Sequence, residues 1–287
     1  MRYASPLRYP GGKAGLTGFL ADTIELNELR SCVYYEPYAG GAGAALGLLK
    51  QDTVAEIHLN DADCRVYAFW LSVLRDCDRF VDRMQTVPLT IEEWRHQRQI
   101  CASPSSHCQF DVGFAAFFMN RCNRSGVING SGPIGGYEQK GKWRLDVRFN
   151  RERLAERVLG LARMKDRIHV SCEDAVSFLK RALPSGRGRA RVFVYLDPPY
   201  VNNGQRLYLN AYRPGDHAQL ASYLARQRSL PWLVSYDDSS LVRDLYARHC
   251  IAHMPIKYTL QEKRTARELV ITPHYLATPI ACRNHVR

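Results

Sequence analysis

Residues 192–200 read Val192-Phe193-Val194-Tyr195-Leu196-Asp197-Pro198-Pro199-Tyr200. Five apolar residues of β-branched and aromatic character, followed at once by an acid and two prolines, describe a buried strand with a sharp carboxyl end. Comparable short runs recur at Val33–Glu36, Glu56–Asn60, Arg167–Ser171 and Trp232–Tyr236, each leading into a Gly/Pro or acidic turn and often then into a helical pattern. Strands alternating with helices build parallel βαβ units, so the sequence predicts an α/β fold with a doubly wound, mostly parallel sheet. Two more runs, near Met254–Leu260 and Leu269–Pro273, are too closely spaced for a helical crossover and predict an antiparallel hairpin at one edge.

The alternation breaks between the second and third strands. Residues 73–165 combine helical periodicity at Ile91–Ile100 and Arg151–Met164 with a loop rich in Gly, Asn and Ser from Asn120 to Gly136. They predict an insert into a main domain formed by 1–72 and 166–287, and Arg181–Arg191 predicts an exposed basic loop before the fourth strand. A chain of 287 residues, 46% hydrophobic and 24% charged, is long enough for one large α/β domain with such an insert. No apolar run approaches the roughly 18 residues of a membrane span, and the N-terminus lacks the apolar core of a secretory signal, so a cytoplasmic protein is expected. The nine cysteines include no Cys-x-x-Cys, which argues against a zinc ribbon and a disulfide framework.

The net charge of +12 is concentrated: residues 121–191 hold 17 Lys and Arg against 7 Asp and Glu. A basic segment of this kind suits phosphate contact, because neutralising phosphates releases counterions. A solvated helix surface would read the same way, so charge alone leaves both open.

Three constellations carry chemistry. Ligands of open α/β sheets bind beyond the carboxyl ends of strands, which is where Asp197-Pro198-Pro199-Tyr200 lies. An amine on an aromatic ring is a weak nucleophile, and Asp197 with the Pro198 carbonyl would supply acceptors for its two N–H bonds. The prolines stiffen the turn and remove competing donors, and Tyr200 offers a face on which a flipped base stacks. The second constellation, Tyr35-Glu36-Pro37-Tyr38-Ala39-Gly40-Gly41-Ala42-Gly43, ends the first strand and opens a helix, with Asn60-Asp61 about 20 residues on, where an acid meets ribose hydroxyls. An NAD site uses the same parts, although Gly41-x-Gly43-x-x-x-Gly47 misses the dinucleotide spacing by one residue. The third, Arg8-Tyr9-Pro10-Gly11-Gly12-Lys13, lacks the spacing of a triphosphate loop and by itself reads more readily as a turn with a solvated lysine than as a binding loop.

Taken in order, Arg-Tyr-Pro-Gly-Gly-Lys, Glu-Pro-Tyr-Ala-Gly-Gly, Asn-Asp-Ala-Asp, Asn120-Arg121 with a Gly-rich loop, and Asp-Pro-Pro-Tyr resemble the D12 class of adenine-specific DNA methyltransferases, the Dam family, over about residues 5–272. The resemblance implies transfer of a methyl group from S-adenosyl-L-methionine to N6 of adenine in double-stranded DNA, by base flipping and direct transfer. It implies Asp197, Pro198, Pro199 and Tyr200 as the catalytic segment. It further implies Tyr9, Lys13, Glu36, Gly40, Gly43, Asp61, Asp174 and Asp197 around the cofactor, with target recognition in the insert. The run after Asn120-Arg121 departs from the Tyr-Asn-Gly-Leu-x-Arg type of the best-known Dam members, which puts the recognition sequence GATC in doubt. Arg121, Asn123, Arg124, Ser125 and Asn129 are suited to bases or phosphates.

A cytosine-N4 or RNA amino-methyltransferase, and a non-catalytic DNA-binding protein of the same fold, fit the motifs as alternatives. No membrane association is expected. The protein would work at the nucleoid, alone or beside a cognate restriction endonuclease or another defence-system partner. The chain contains no Pro-Cys, His-x-Glu or His-Glu-x-x-His, so cytosine-C5 chemistry and the usual zinc deaminase and protease sites have no anchor, and the transfer calls for no metal.

Overall fold

The computed structural model describes residues 5–8, 12–201, 212–257 and 265–280, the side chains of 255–257 and 265–267 excepted. Its strands are β1 (Cys32–Glu36), β2 (Val54–Asn60), β3 (Ile168–Ser171), β4 (Val192–Leu196), β5 (Trp232–Asp237), β6 (Cys250–Lys257) and β7 (Thr265–Thr272). Among the described residues they form one sheet in the order β3-β2-β1-β4-β5-β7-β6. Neighbours from β3 to β5 pair in parallel, while β7 runs antiparallel to both β5 and β6. The doubly wound, mostly parallel sheet and its antiparallel edge pair are thus both present. The edge strands begin earlier than their apolar runs suggested, and 258–260 lie outside the described residues.

The helices are α1 (Thr17–Leu26), α2 (Gly43–Lys50), α3 (Cys64–Arg75), α4 (Cys77–Thr86), α5 (Ile91–Ala102), α6 (Gln109–Cys122), α7 (Arg151–Ala162), α8 (Ala175–Ala182), α9 (Pro214–Ala225) and α10 (Ser240–Leu245). Successive strand residues point to opposite faces, so each strand feeds two cores. Tyr34, Phe193, Tyr195 and Leu233 join α1, α2 and α3 on one face. Tyr35, Val194, Leu196, Trp232 and Val234 join α8, α9 and α10 on the other. Strand β4 is buried at all five positions, as an interior parallel strand covered on both sides must be. Because β1 lies between β2 and β4, the chain order reverses there, and the carboxyl ends of β1 and β4 open the crevice where such sheets bind ligands.

The helices of 73–165 build no core of their own. Phe80, Trp94, Phe117 and Phe149 belong to the same buried cluster as Tyr34 and Phe193. Phe117 packs on Phe69 of α3, on Phe80 and on Phe149, with centroids 6.0, 5.3 and 5.4 Å away. Helix α3 itself spans the expected boundary at 72/73. Helix α6 shows no amphipathic stripe in sequence because nearly its whole length is enclosed, Phe110 and then Val112 to Cys122 without a break. Gly113 sets its distance from α3: a Cβ there would stand under 3.0 Å from the Ala68 carbonyl.

Candidate active site

Lys13 opens a short 3₁₀ turn (Lys13–Leu16) ahead of α1 and is only 7% exposed. An ammonium this deep needs compensating charge. Its Nζ donates to both carboxylate oxygens of Glu268 at 2.8 Å and to the Tyr200 hydroxyl at 2.6 Å, and lies 3.4 Å from Asp197 Oδ1. Tyr200 donates in turn to Glu268 Oε1. Asp197 Oδ1 also accepts from Ser235 Oγ at 2.8 Å. Ser235 Oγ is 2.8 Å from Tyr195 Oη, and a hydroxyl has one proton to give, so Tyr195 donates to Ser235.

Four elements therefore meet in one network around Asp197 and Tyr200: the turn before α1, the end of β4, β5 and β7. Burial pushes Asp197 and Glu268 above the usual carboxylate range, with Lys13 opposing the shift. Burial works to lower the Lys13 ammonium, and Asp197 and Glu268 outweigh it, holding the group above its ordinary value. Pro198 and Pro199 are buried, Asp197 and Tyr200 half-buried, and the turn is tied to β5 by Val201 N donating to Asp237 Oδ1 at 2.9 Å.

The second wall is the set of loops after β1, β2 and β3. Glu36, 3% exposed, accepts from the Tyr34 hydroxyl at 3.1 Å, and burial pushes its carboxyl up to about 8. Gly40 takes a positive φ of 45°, where glycine is favoured, and its N–H donates to Asp61 Oδ2 at 2.8 Å. Asp61 Oδ1 accepts from Asp63 N at 2.9 Å, and burial raises this carboxyl to about 6. Gly43 starts α2, and a Cβ on it would press on Ala14 at 3.0 Å, so this glycine lets the Lys13 turn dock on the helix. Asp174 is exposed and caps α8, accepting from Ser177 N at 2.9 Å.

Asn60, fully buried, stitches the three loops together. Its Nδ2 donates to the Pro37 and Glu173 carbonyls at 3.0 and 2.9 Å, and its Oδ1 accepts from Ser171 Oγ and Glu173 N at 2.9 and 3.0 Å. Tyr9 lies outside the described residues.

The loop after α6 divides the expected DNA-facing residues. Arg124, Ser125 and Asn129 are exposed. Asn123 is not: at 0% exposure its Oδ1 accepts from Trp94 Nε1 at 2.7 Å, while its Nδ2 donates to the Val127 and Ile128 carbonyls at 2.7 and 3.2 Å. As placed, this side chain frames the loop and presents nothing to a base. Asn120 does similar work on the N-terminal segment, exchanging hydrogen bonds with the Arg8 backbone at 2.7 and 2.6 Å.

Arg121, 7% exposed, sits in a field of like charge. Burial first, then Arg157, Arg8 and Arg148, lower its guanidinium to about 9. Its Nε and the Nη1 of Arg8 are buried without a hydrogen-bond partner among the described residues. Guanidiniums crowded in this way, with buried donors unspent, suit an anion.

Asp197, Tyr200 and Lys13 are thus brought into contact, and Glu36, Gly40, Asp61 and Asp174 line the neighbouring strand ends. Ser235, Glu268, Tyr195 and Asn60 complete the arrangement without having been singled out for these roles. A carboxylate held in fixed orientation beside a glycine-bent crevice can accept hydrogen bonds from an amine while a ligand with hydroxyls lies along β1 and β2. The family model described as D12 class N6 adenine-specific DNA methyltransferase matches residues 9–262. A search among curated proteins finds no match.

Proposed function

The chain belongs to the D12 class of N6 adenine-specific DNA methyltransferases, and from that membership we propose how its own residues perform the transfer. DNA is the substrate, the N6 amine of adenine the acceptor, and a methyl donor the cofactor. We take the donor to be S-adenosylmethionine. The carboxyl groups of Glu36, Asp61 and Asp174 suit the hydroxyls and ammonium of such a molecule. When bound, it supplies a methyl group on a sulfonium, already an electrophile.

Asp197 and the Pro198 carbonyl accept the two N–H bonds of the adenine amine. That amine is weak because its lone pair is spread into the ring, and the two acceptors would return electron density to nitrogen as it takes up the methyl group. The surplus proton leaves through Asp197. Lys13 and Ser235 both engage Oδ1, which fixes the rotation of the carboxylate and counters the burial that would otherwise neutralise it. No covalent enzyme intermediate forms.

Asp197 is 17% exposed, so an adenine in duplex DNA must leave the stack to reach it, with the Tyr200 ring as its platform. Arg8, Arg121, Arg148 and Arg157 take backbone phosphates, and Arg124, Ser125 and Asn129 face the bases. The observation that carries this mechanism is the convergence of Lys13, Ser235 and Glu268 on Asp197 and Tyr200. Incubation of duplex DNA with labelled S-adenosylmethionine, followed by nucleoside analysis, tests it: N6-methyladenine is expected, and N4-methylcytosine as the product refutes it.

A further inference from the structure

Across the other half of the sheet, three aromatic rings stand in one rank. Tyr35 of β1 is in register with His58 of β2, and His58 with His169 of β3. The Tyr35 and His58 rings stack at 4.5 Å with 13° between planes, and the His58 and His169 rings at 4.4 Å with 26°. Glu56, two residues before His58 and so on the same face, reaches both imidazoles. Its Oε2 lies 3.0 Å from His169 Nε2, and its Oε1 lies 3.7 Å from His58 Nε2. None of these side chains belongs to the Lys13–Asp197 network.

We propose that Glu56, His58 and His169 form a binding site for one divalent transition metal ion, of which zinc is the representative. The donor atoms of the three residues all lie within 4.8 Å of one another. Ligands at the usual 2.0–2.1 Å around a tetrahedral ion are separated by about 3.3 Å, and Glu56 stands 3.0 Å from His169 through Oε2 and 3.7 Å from His58 through Oε1, so small side-chain rotations bring one donor of each residue to that spacing. Two imidazoles and one carboxylate are a donor set for zinc, copper, nickel or iron, while calcium and magnesium prefer oxygen alone. The side chains of His58, Glu56 and His169 are 24%, 37% and 46% exposed, so an ion can enter and its remaining position faces solvent.

An ion here would staple edge strand β3 to β2, joining positions 113 residues apart.

The test is calorimetric titration of the full chain, stripped with chelator, with zinc chloride and in parallel with magnesium chloride. One zinc site and no magnesium binding are expected. His169→Ala should weaken zinc binding by at least about tenfold, since loss of even an outer partner of a metal ligand has an effect of that size. Glu56→Gln should do the same. His96→Ala, at an exposed position on α5, should bind zinc as the wild type does. Zinc should also raise the melting temperature of the wild type and leave that of His169→Ala unmoved. Absence of zinc binding, or binding undiminished in His169→Ala, overturns the proposal. Should His169→Ala fail to fold, the isosteric Glu56→Gln decides by the same readings.

Discussion

Lys13→Met keeps most of the unbranched side chain, one atom shorter, and deletes its charge. The ammonium lies 3.4 Å from Asp197 Oδ1 and 2.8 Å from Glu268 Oε1, with exposures of 6%, 17% and 2% for the three side chains. At an effective dielectric of about 20 those separations correspond to gross attractions of about 5 and 6 kcal/mol. Much of this offsets lost hydration, and deleting one partner of a buried pair has a net cost of about 3–5 kcal/mol. The substitution also leaves two buried carboxylates facing each other, and Asp197 already raises Glu268. Both carboxyls are above their ordinary values through burial, with Lys13 restraining them, so in the variant both rise further.

A carboxyl raised in the folded state retains a proton that the unfolded chain has released. Its contribution to stability is full below the unfolded value of about 4 and is lost as pH climbs through the folded value. The penalty of Lys13→Met should therefore grow with pH, being smaller near pH 5 than near pH 8, where it approaches about 3–5 kcal/mol. Urea unfolding followed by circular dichroism at the two pH values measures the difference. A penalty equal at both, or absent near pH 8, refutes the charge network. The acid limb of the activity profile should also move to higher pH wherever the variant retains turnover.

Three further outcomes follow from the packing. Gly113→Ala drives a methyl into the Ala68 carbonyl and should destabilise the protein by about 1–3 kcal/mol, whereas Gly160→Ala, with open space around it in α7, should be neutral or stabilising by up to about 1 kcal/mol; thermal melting separates them. Asn123→Ala strands the buried Trp94 indole N–H and should lose about 1–3 kcal/mol of stability, seen by urea unfolding, while base preference in a methylation assay stays as in wild type. Glu36 has a folded value of about 8, so the cofactor-free protein should lose stability as pH rises from about 4.5 through 8, and Glu36→Gln should flatten that slope in melting curves taken across the range.

Much of this architecture was readable from residues alone because its signals are local. Five consecutive apolar residues in β4 announce an interior parallel strand, and the acid and prolines after it mark its tip. Glu268 carries no such mark. It lies between Arg267 and Leu269 on an antiparallel strand, where an acid turned inward and one turned outward look alike, and its partner Lys13 is 255 residues away. Ser235 is an ordinary strand serine until β5 sets it beside Asp197. Asn123 shows the opposite limit, since a polar residue in a Gly-rich loop reads as a surface contact and only the tertiary position of Trp94 makes it a buried frame. Residues 73–165 read as an insert because their helices interrupt the strand alternation. Their aromatic residues nonetheless complete the core on one face of the sheet, a long-range fact with no local pattern. Helix α6 was hidden for a related reason, because burial on all sides erases the stripe that periodicity detects.

The central claim is that the Asp197 carboxylate activates the adenine amine. Single-turnover transfer from labelled S-adenosylmethionine to an adenine-containing duplex, compared between wild type and Asp197→Ala, addresses it most directly. The rate should fall by about 100-fold or more in the variant, the scale of a lost acid–base group, with N6-methyladenine the wild-type product. Transfer by Asp197→Ala at the wild-type rate would contradict the account.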